Sequence, residues 1–252
     1  MRIIINADDF GKSDSVNRAI VFCFQEGLIT NTTVMVNMPA FDDAVKLSKE
    51  KNFFDKVGLH LNFFAGVPLT EEMKGDKILC KNGVMTSENY FHKLGTIKRI
   101  FLNKQTKRNI RIECEAQVKK FIEAGFTLRH FDSHGHSHTL ISFWRIIKRV
   151  LKKYGFETTR ISENVSKKKR LISRCYKFIF NTFKTKSFRR PDYLCSYKDI
   201  DKSLFSKNRI LEIMVHPDYE NGVLVNRYGK VYTEYPTKDN VISNLLTNFN
   251  SL

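Results

Sequence analysis

The chain has 252 residues, of which 42% are hydrophobic, so it is long enough to bury a large α/β core. No stretch approaches the roughly 20 consecutive apolar residues of a membrane-spanning helix, which argues against an integral membrane protein. The net charge of +17 favours an anionic partner. Five scattered cysteines without a C-x-x-C pair argue against a disulfide framework or a zinc ribbon, and they favour a reducing cytoplasm.

Predicted strands and helices alternate along the chain. The strands are expected at residues 2–6, 32–37, 56–63, 127–132, 157–161, 192–196 and 210–215. Amphipathic helices separate most of them, and three of these helices are expected to end at Gly27, Gly125 and Gly155. Repeated βα units predict a parallel sheet with right-handed crossovers, within one domain of residues 1–252. The polar stretch 66–90 is too long for a plain connection and is predicted to be a loop over a site.

Acidic and histidine side chains stand where the predicted strands end. Asp8 and Asp9 follow the first strand, and His60 lies near the end of the third. Taken alone, the two aspartates are equally well explained as caps of the next helix, and a single strand histidine is commonly a core residue. Burying unpaired charge is costly, however, and α/β proteins build their sites at the carboxyl ends of strands. The recurrence of such residues at several strand ends therefore indicates a site.

A run of three histidines follows the fourth predicted strand. If this run is extended, its successive side chains point alternately to opposite faces. One or two of them would then face a metal ion, while another holds a carboxylate behind the ligands. Two later strands also end in polar side chains. The candidate residues of these three strand ends are Asp132, His134, His136, His138, Arg160 and His216. Convergence of five strand ends predicts a hydrolytic metal site.

The segment 166–190 is basic and amphipathic. Between residues 167 and 190 there are ten Lys or Arg and no acidic residue. Apolar side chains recur there at helical spacing, at Leu171, Cys175, Phe178 and Ile179. In one interpretation this stripe packs on the core and the basic residues are solvated. In the other, the helix lies on an anionic membrane face or an acidic glycan, which would make the protein peripheral to the membrane and bring it to a carrier-linked sugar.

Four segments, in order along the chain, resemble the signature blocks of the YdjC-like carbohydrate deacetylases. They are residues 6–11, 58–60, 130–138 and 212–217. The resemblance implies a deformed (β/α) barrel of the polysaccharide-deacetylase type, with mostly parallel strands, which binds one divalent metal and hydrolyses the N-acetyl group of an acetamido sugar. It implies Asp9, His60 and His134 as metal ligands, Asp8 as the general base and His216 as the general acid. The basic segment matches no shared block.

The chemistry of amide hydrolysis fits these residues. A metal polarises the carbonyl and lowers the pKa of water, while a carboxylate takes a proton and an imidazole returns one to the amine. Asp132, His136, His138 and Arg160 would then orient these groups or contact the substrate. One carboxylate and two imidazoles suit Zn²⁺, and also Mg²⁺ with waters in the remaining positions. The resemblance favours Mg²⁺.

Two other classes of protein remain open at this stage. A metal-dependent phosphoesterase would also use Asp and His and would suit a basic surface, but it usually needs more ligands because it holds two metals. A basic nucleic-acid-binding or membrane-binding protein would explain the charge. For nucleic acid, the chain has no recognition motif, and only Phe178, Phe180 and Phe183 could provide a stacking platform.

Overall fold

A computed structural model of the protein describes residues 1–93, 100–165, 171–200, 203, 208–227 and 243–252. The strands are β1 (Arg2–Phe10), β2 (Asn31–Val34), β3 (Val57–Leu61), β4 (Cys80–Lys81), β5 (Val84–Met85), β6 (His130–Ser133), β7 (Thr158–Thr159), β8 (Tyr193–Ser196), β9 (Ile210–Val215), β10 (Pro217–Glu220) and β11 (Val223–Asn226). The α-helices are α1 (Asp14–Gln25), α2 (Phe41–Glu50), α3 (Glu71–Lys74), α4 (Glu88–Lys93), α5 (Lys104–Glu123), α6 (Ile141–Lys153) and α7 (Leu171–Ile179).

Seven strands form one parallel sheet in the order β7-β6-β3-β2-β1-β9-β8. The backbone beyond its two edge strands is also joined by hydrogen bonds. The Asn164 amide donates to the Leu194 carbonyl at 3.3 Å, and the Thr159 amide donates to the Arg189 carbonyl at 3.0 Å. The sheet therefore curls toward closure, and the predicted deformed (β/α) barrel is confirmed. Because all seven strands are parallel, their carboxyl ends meet at one rim.

The opposite rim is sealed by the end of the described chain. Ile3 in β1 donates to the Leu245 carbonyl at 2.7 Å and accepts from the Thr247 amide at 2.8 Å. Phe249 is buried there and stacks on the His130 ring, with the ring centroids 3.5 Å apart. Buried aromatic rings fill the space between sheet and helices, among them Phe131, Trp144, Phe156 and Phe188. The carboxyl rim, by contrast, is lined by buried charged side chains, among them Asp8, Asp9, Asp132 and Arg160.

The stretch 66–90 is more ordered than a plain loop. It contains α3, the hairpin of β4 and β5, and the start of α4. Glu113 of α5 fastens it, because its carboxylate accepts hydrogen bonds from the Leu69 and Thr70 amides, both at 3.0 Å. The Asp76 carboxylate accepts hydrogen bonds from the backbone amides of Ile78 and Leu79, both at 2.9 Å. Buried acceptors therefore stabilise a stretch whose polar composition suggested irregular structure.

The basic segment forms a helix, as predicted, but its stripe does not pack on the core. None of the nine residues of α7 is buried, so the core-packing interpretation is wrong for Leu171 and Phe178. Residues 167–170, which carry four of the ten basic side chains, lie outside the described residues. Within the described chain, no helix combines the length and apolarity that crossing a bilayer requires. All five cysteines are free thiols.

Candidate active site

Asp8 and Asp9 both point into the carboxyl rim although they are neighbours in β1. In a regular strand adjacent side chains face opposite sides. Here the register of β1 on β2 shifts between Ala7 and Phe10, and Asp9 has a φ of +71°. Gly11 completes the turn with a φ of +83°, and a Cβ there would lie 3.1 Å from the Met35 carbonyl oxygen. The irregular strand end thus presents two carboxylates to one space.

Asp9, His60 and His134 come together as the sequence predicted. Asp9 Oδ1 lies 2.8 Å from His134 Nδ1 and 3.4 Å from His60 Nε2. One ligand atom from each of the three lies within 4.8 Å of the other two, which is the spacing of a possible metal site. Asp9 and His60 are buried, whereas the His134 side chain is 20% exposed and borders the opening. Burial raises the pKa of Asp9, but hydrogen bonds with His134 and His60 outweigh it and hold that pKa well below its ordinary value.

The other nitrogen of His60 is held by a buried carboxylate. His60 Nδ1 lies 2.6 Å from Asp132 Oδ1 and 3.1 Å from the Thr33 hydroxyl. Burial lowers the pKa of His60, but Asp132 outweighs it and the pKa rises to about 10. A carboxylate behind an imidazole fixes its orientation and directs Nε2 toward a cation, as at metal sites. The residues present therefore fit a divalent cation.

Arg160 connects the carboxylates beneath this cluster. It is fully buried and donates to both oxygens of Asp8 at 2.6 Å and to Glu212 at 2.6 Å, and it lies 3.0 Å from Asp132. Burial raises the pKa of Asp8, but the Arg160 guanidinium outweighs it and holds that pKa far below its ordinary value. For Glu212 burial prevails, and its pKa rises to about 7. Arg160 is therefore the shared partner of three carboxylates, and its side chain is completely buried.

His216 follows β9 and lies beside Asp8. Its Nε2 is 3.6 Å from Asp8 Oδ2, and 14% of its side chain is exposed. Its backbone amide donates to Asn226 Oδ1 at 3.1 Å, which ties it to the β10–β11 hairpin. Burial lowers the pKa of His216 below its ordinary value although Asp8 and Asp9 act in the other direction. A neutral imidazole therefore adjoins an ionised carboxylate.

The histidine run is not extended, and the expected alternation is wrong. Residues His134–Thr139 form tight helical turns in which Gly135 and His136 have φ values of 58° and 51°. His138 turns inward, where its Nδ1 lies 2.6 Å from the Ser133 hydroxyl. Burial lowers the pKa of His136 to about 3 and that of His138 well below its ordinary value. Of the three, it is His134 that reaches Asp9.

Several site residues were missed by the sequence reasoning. Lys12 Nζ lies 2.6 Å from Asp9 Oδ2, and Asn6 Nδ2 donates to Asp8 Oδ1 at 2.9 Å. Thr33 and Glu212 contact Asp132 and Arg160, respectively. Asn6 and Glu212 belong to segments that had been singled out, and Thr33 lies in a predicted strand. No signal in the sequence pointed to Lys12, because its contact depends on the left-handed turn at Asp9.

Comparison with known proteins agrees with this architecture. The chain matches the model of the YdjC-like protein family over residues 2–238. A carbohydrate deacetylase of Clostridium beijerinckii is 31% identical over 232 residues, which are 92% of this chain and 87% of that protein. One from Vibrio cholerae is 41% identical over 156 residues, 61% of this chain and 56% of that protein. A proposed cellobiose-phosphate cleavage protein from Enterococcus faecalis V583 shares the fold, with a TM-score of 0.66 at 19% identity, covering 98% of this chain and 91% of that one.

Proposed function

Because the chain belongs to the YdjC-like family, we propose that it is a metal-dependent hydrolase that removes the N-acetyl group from an acetamido sugar or oligosaccharide. The observation that carries the proposal is the cluster of Asp9, His60 and His134 directly beside Asp8 and His216. Related chains named carbohydrate deacetylase supply the substrate class. The same cluster suits amide hydrolysis on chemical grounds.

Asp9, His60 and His134 would hold one divalent cation, Mg²⁺ or alternatively Zn²⁺. When bound, the cation supplies Lewis-acid polarisation of the acetyl carbonyl and lowers the pKa of water. A second group of possible ligands, Asp8, His60 and Asp132, shares His60 with the first. Arg160 already occupies Asp8 and Asp132. A one-cation site is therefore favoured over the two-cation site of many phosphoesterases.

Asp8 and His216 would move the protons. Asp8 is ionised at neutral pH and accepts a proton from the water whose oxygen attacks the acetyl carbon. The 3.6 Å between Asp8 Oδ2 and His216 Nε2 allows this proton to pass to the neutral imidazole. His216 then donates it to the nitrogen as the carbon–nitrogen bond breaks. Arg160 and Asn6 hold Asp8 in place throughout.

The experiment is a panel of N-acetylated amino sugars incubated with purified protein and either Mg²⁺ or Zn²⁺, with free acetate as the readout. Metal content is measured in parallel. His60→Ala and His134→Ala are expected to lose the metal and the activity, whereas His92→Ala, a half-exposed histidine on α4, keeps both. Full metal occupancy in both site variants would refute the ligand assignment.

The proton-transfer roles are separated from metal binding by a second pair of variants. Asp8→Asn and His216→Ala are expected to retain the metal and to lower kcat by about 10²–10⁴-fold, as is typical when a general acid or base is removed. Asp55→Asn, a change at an exposed position, serves as the matched control. A near-normal rate in either site variant removes that residue from the mechanism.

A further inference from the structure

Exposed apolar side chains stand on α7, on the turn that follows it, and at Phe101, which shares a groove with Phe183. Five large apolar side chains there are more than half exposed: Ile172 at 84%, Leu171 at 73%, Phe101 at 71%, Phe178 at 67% and Phe183 at 59%. Single exposed apolar residues are ordinary, but several together mark an interaction site. We call these five residues, with the basic residues that line the adjacent groove, the basic-apolar patch.

A groove between α6 and the turn that follows α7 supplies the positive charge. It has a volume of about 670 Å³ and is bordered by Phe101 and Phe183. Its basic lining residues are Lys107, Arg145, Lys148, Arg149 and Lys184. No acidic residue lines it within the described chain, and none of these five forms an ion pair with a described carboxylate. The positive charge of this groove is therefore not compensated by a described carboxylate, whereas the separate groove that Leu171 and Phe178 line also contains Glu163 and Asp192.

The patch is attached rigidly to one side of the active site. Tyr176 of α7 donates its hydroxyl to the Thr139 carbonyl at 2.6 Å. Thr139 ends the turn that begins with the proposed ligand His134. Phe180, which follows α7, is buried against Trp144, with ring centroids 5.2 Å apart. The exposed side chains of α7 therefore have a fixed position relative to the candidate active site.

We propose that the basic-apolar patch docks the protein on the surface of an anionic lipid bilayer. Apolar side chains enter the interface while Lys and Arg pair with acidic headgroups, which is the arrangement of interfacial helices. A second copy of this chain is a poorer occupant, because twofold pairing would set the like charges of the groove against one another. Nucleic acid is also poorer, because Leu171 and Ile172 have no ring on which a base could stack. The proposal is independent of the deacetylase function.

The test is co-sedimentation of the full chain with phosphatidylcholine vesicles that contain or lack phosphatidylserine. We expect binding to the anionic vesicles only, and binding that weakens as salt is raised. Each basic residue near an anionic surface contributes roughly a fivefold gain in partition. Arg145→Ser, Arg149→Ser and Lys184→Ser combined are therefore expected to lower the partition by about 100-fold. Leu171→Ser, Ile172→Ser and Phe178→Ser combined are expected to abolish it.

A matched control removes three exposed lysines elsewhere, with Lys51→Ser, Lys77→Ser and Lys81→Ser. It lowers the net charge equally and is expected to sediment like the wild type. Circular dichroism confirms that each variant is folded. Absence of wild-type binding to anionic vesicles at low salt overturns the proposal, as does an equal loss in the control. Tight binding of single-stranded RNA or dimerisation through the patch, without vesicle binding, overturns it as well.

Discussion

Removing the Arg160 side chain is expected to destabilise the fold strongly and in a pH-dependent way. Arg160 is fully buried and contacts Asp8, Asp132 and Glu212 at 2.6–3.0 Å. Arg160→Met removes the cation that Asp8 and Glu212 share, whereas Asp132 keeps His60 as a partner, and breaking one buried ion pair typically costs about 3–5 kcal/mol. We expect a loss of about 4 kcal/mol in the free energy of unfolding at pH 8, measured by urea denaturation.

The pH dependence distinguishes lost charge compensation from lost packing. In the variant, burial without Arg160 raises the pKa of the orphaned carboxyls above their unfolded values, so the folded state binds more protons than the unfolded one. The free energy of unfolding of the variant therefore falls as pH rises. The difference in stability between the variant and the wild type becomes smaller as the pH is lowered. We expect the difference from wild type to narrow by about 2 kcal/mol between pH 8 and pH 5.5.

Arg18→Met, at an exposed position on α1, is the matched control and should be neutral. If Arg160→Met does not fold, Arg160→Lys retains a charge but not the paired donors, and it should show a smaller deficit with the same pH trend. A deficit below about 1 kcal/mol at pH 8, or one that is constant with pH, would refute the reasoning.

Three further changes test other features of the rim and the sheet. Lys12→Met removes the ammonium group 2.6 Å from Asp9 and should tighten divalent-metal binding by at least about tenfold in calorimetry, whereas unchanged affinity would show that Lys12 does not compete. Burial holds the pKa of His130 well below its ordinary value of 6.5. The neutral form of His130 therefore contributes its full stabilisation above about pH 6.5, and the free energy of unfolding falls as the pH drops below that value. His130→Asn should lose about 1.4 kcal/mol less than wild type between pH 7.5 and 5.5 in urea titrations, and equal losses would contradict this. In Gly58→Ala the new Cβ would lie 3.0 Å from the His130 carbonyl and 3.2 Å from Thr33 Cγ2. This should lower the free energy of unfolding by about 1–3 kcal/mol, and an unchanged denaturation midpoint would show that the sheet yields there.

The fold was largely predictable from sequence because its pattern is local. Alternating buried strands and amphipathic helices specify a parallel sheet, and strand 210–215 was predicted with the boundaries observed for β9. The end of β1 was not predicted correctly, because the strand continues through Asp8 and Asp9 with a shift in register. Strand periodicity cannot show such a shift, since it depends on the turn around Gly11 and its close approach to Met35.

The sequence predicted which residues meet at the candidate site better than it predicted the contacts that they make there. Asp9, His60 and His134 stand at strand ends that any parallel sheet would bring to one rim. The role of Arg160 as the shared partner of three carboxylates is a property of tertiary packing, and so is the contact of Lys12 with Asp9. The extended conformation considered for the histidine run was wrong, because Gly135 and His136 adopt left-handed backbone conformations that turn the chain tightly after Ser133.

The contrast between a strongly basic exterior and a rim of buried carboxylates bears on how products would depart. The proposed reaction turns a neutral sugar amide into an acetate anion and an ammonium cation. A net charge of +17 favours departure of the anion toward the exterior. Asp8 and Asp9 are already paired with Arg160 and Lys12, so they would hold the ammonium product only weakly. Departure of acetate would therefore be the salt-sensitive step, and added salt, by screening the basic exterior, would slow it.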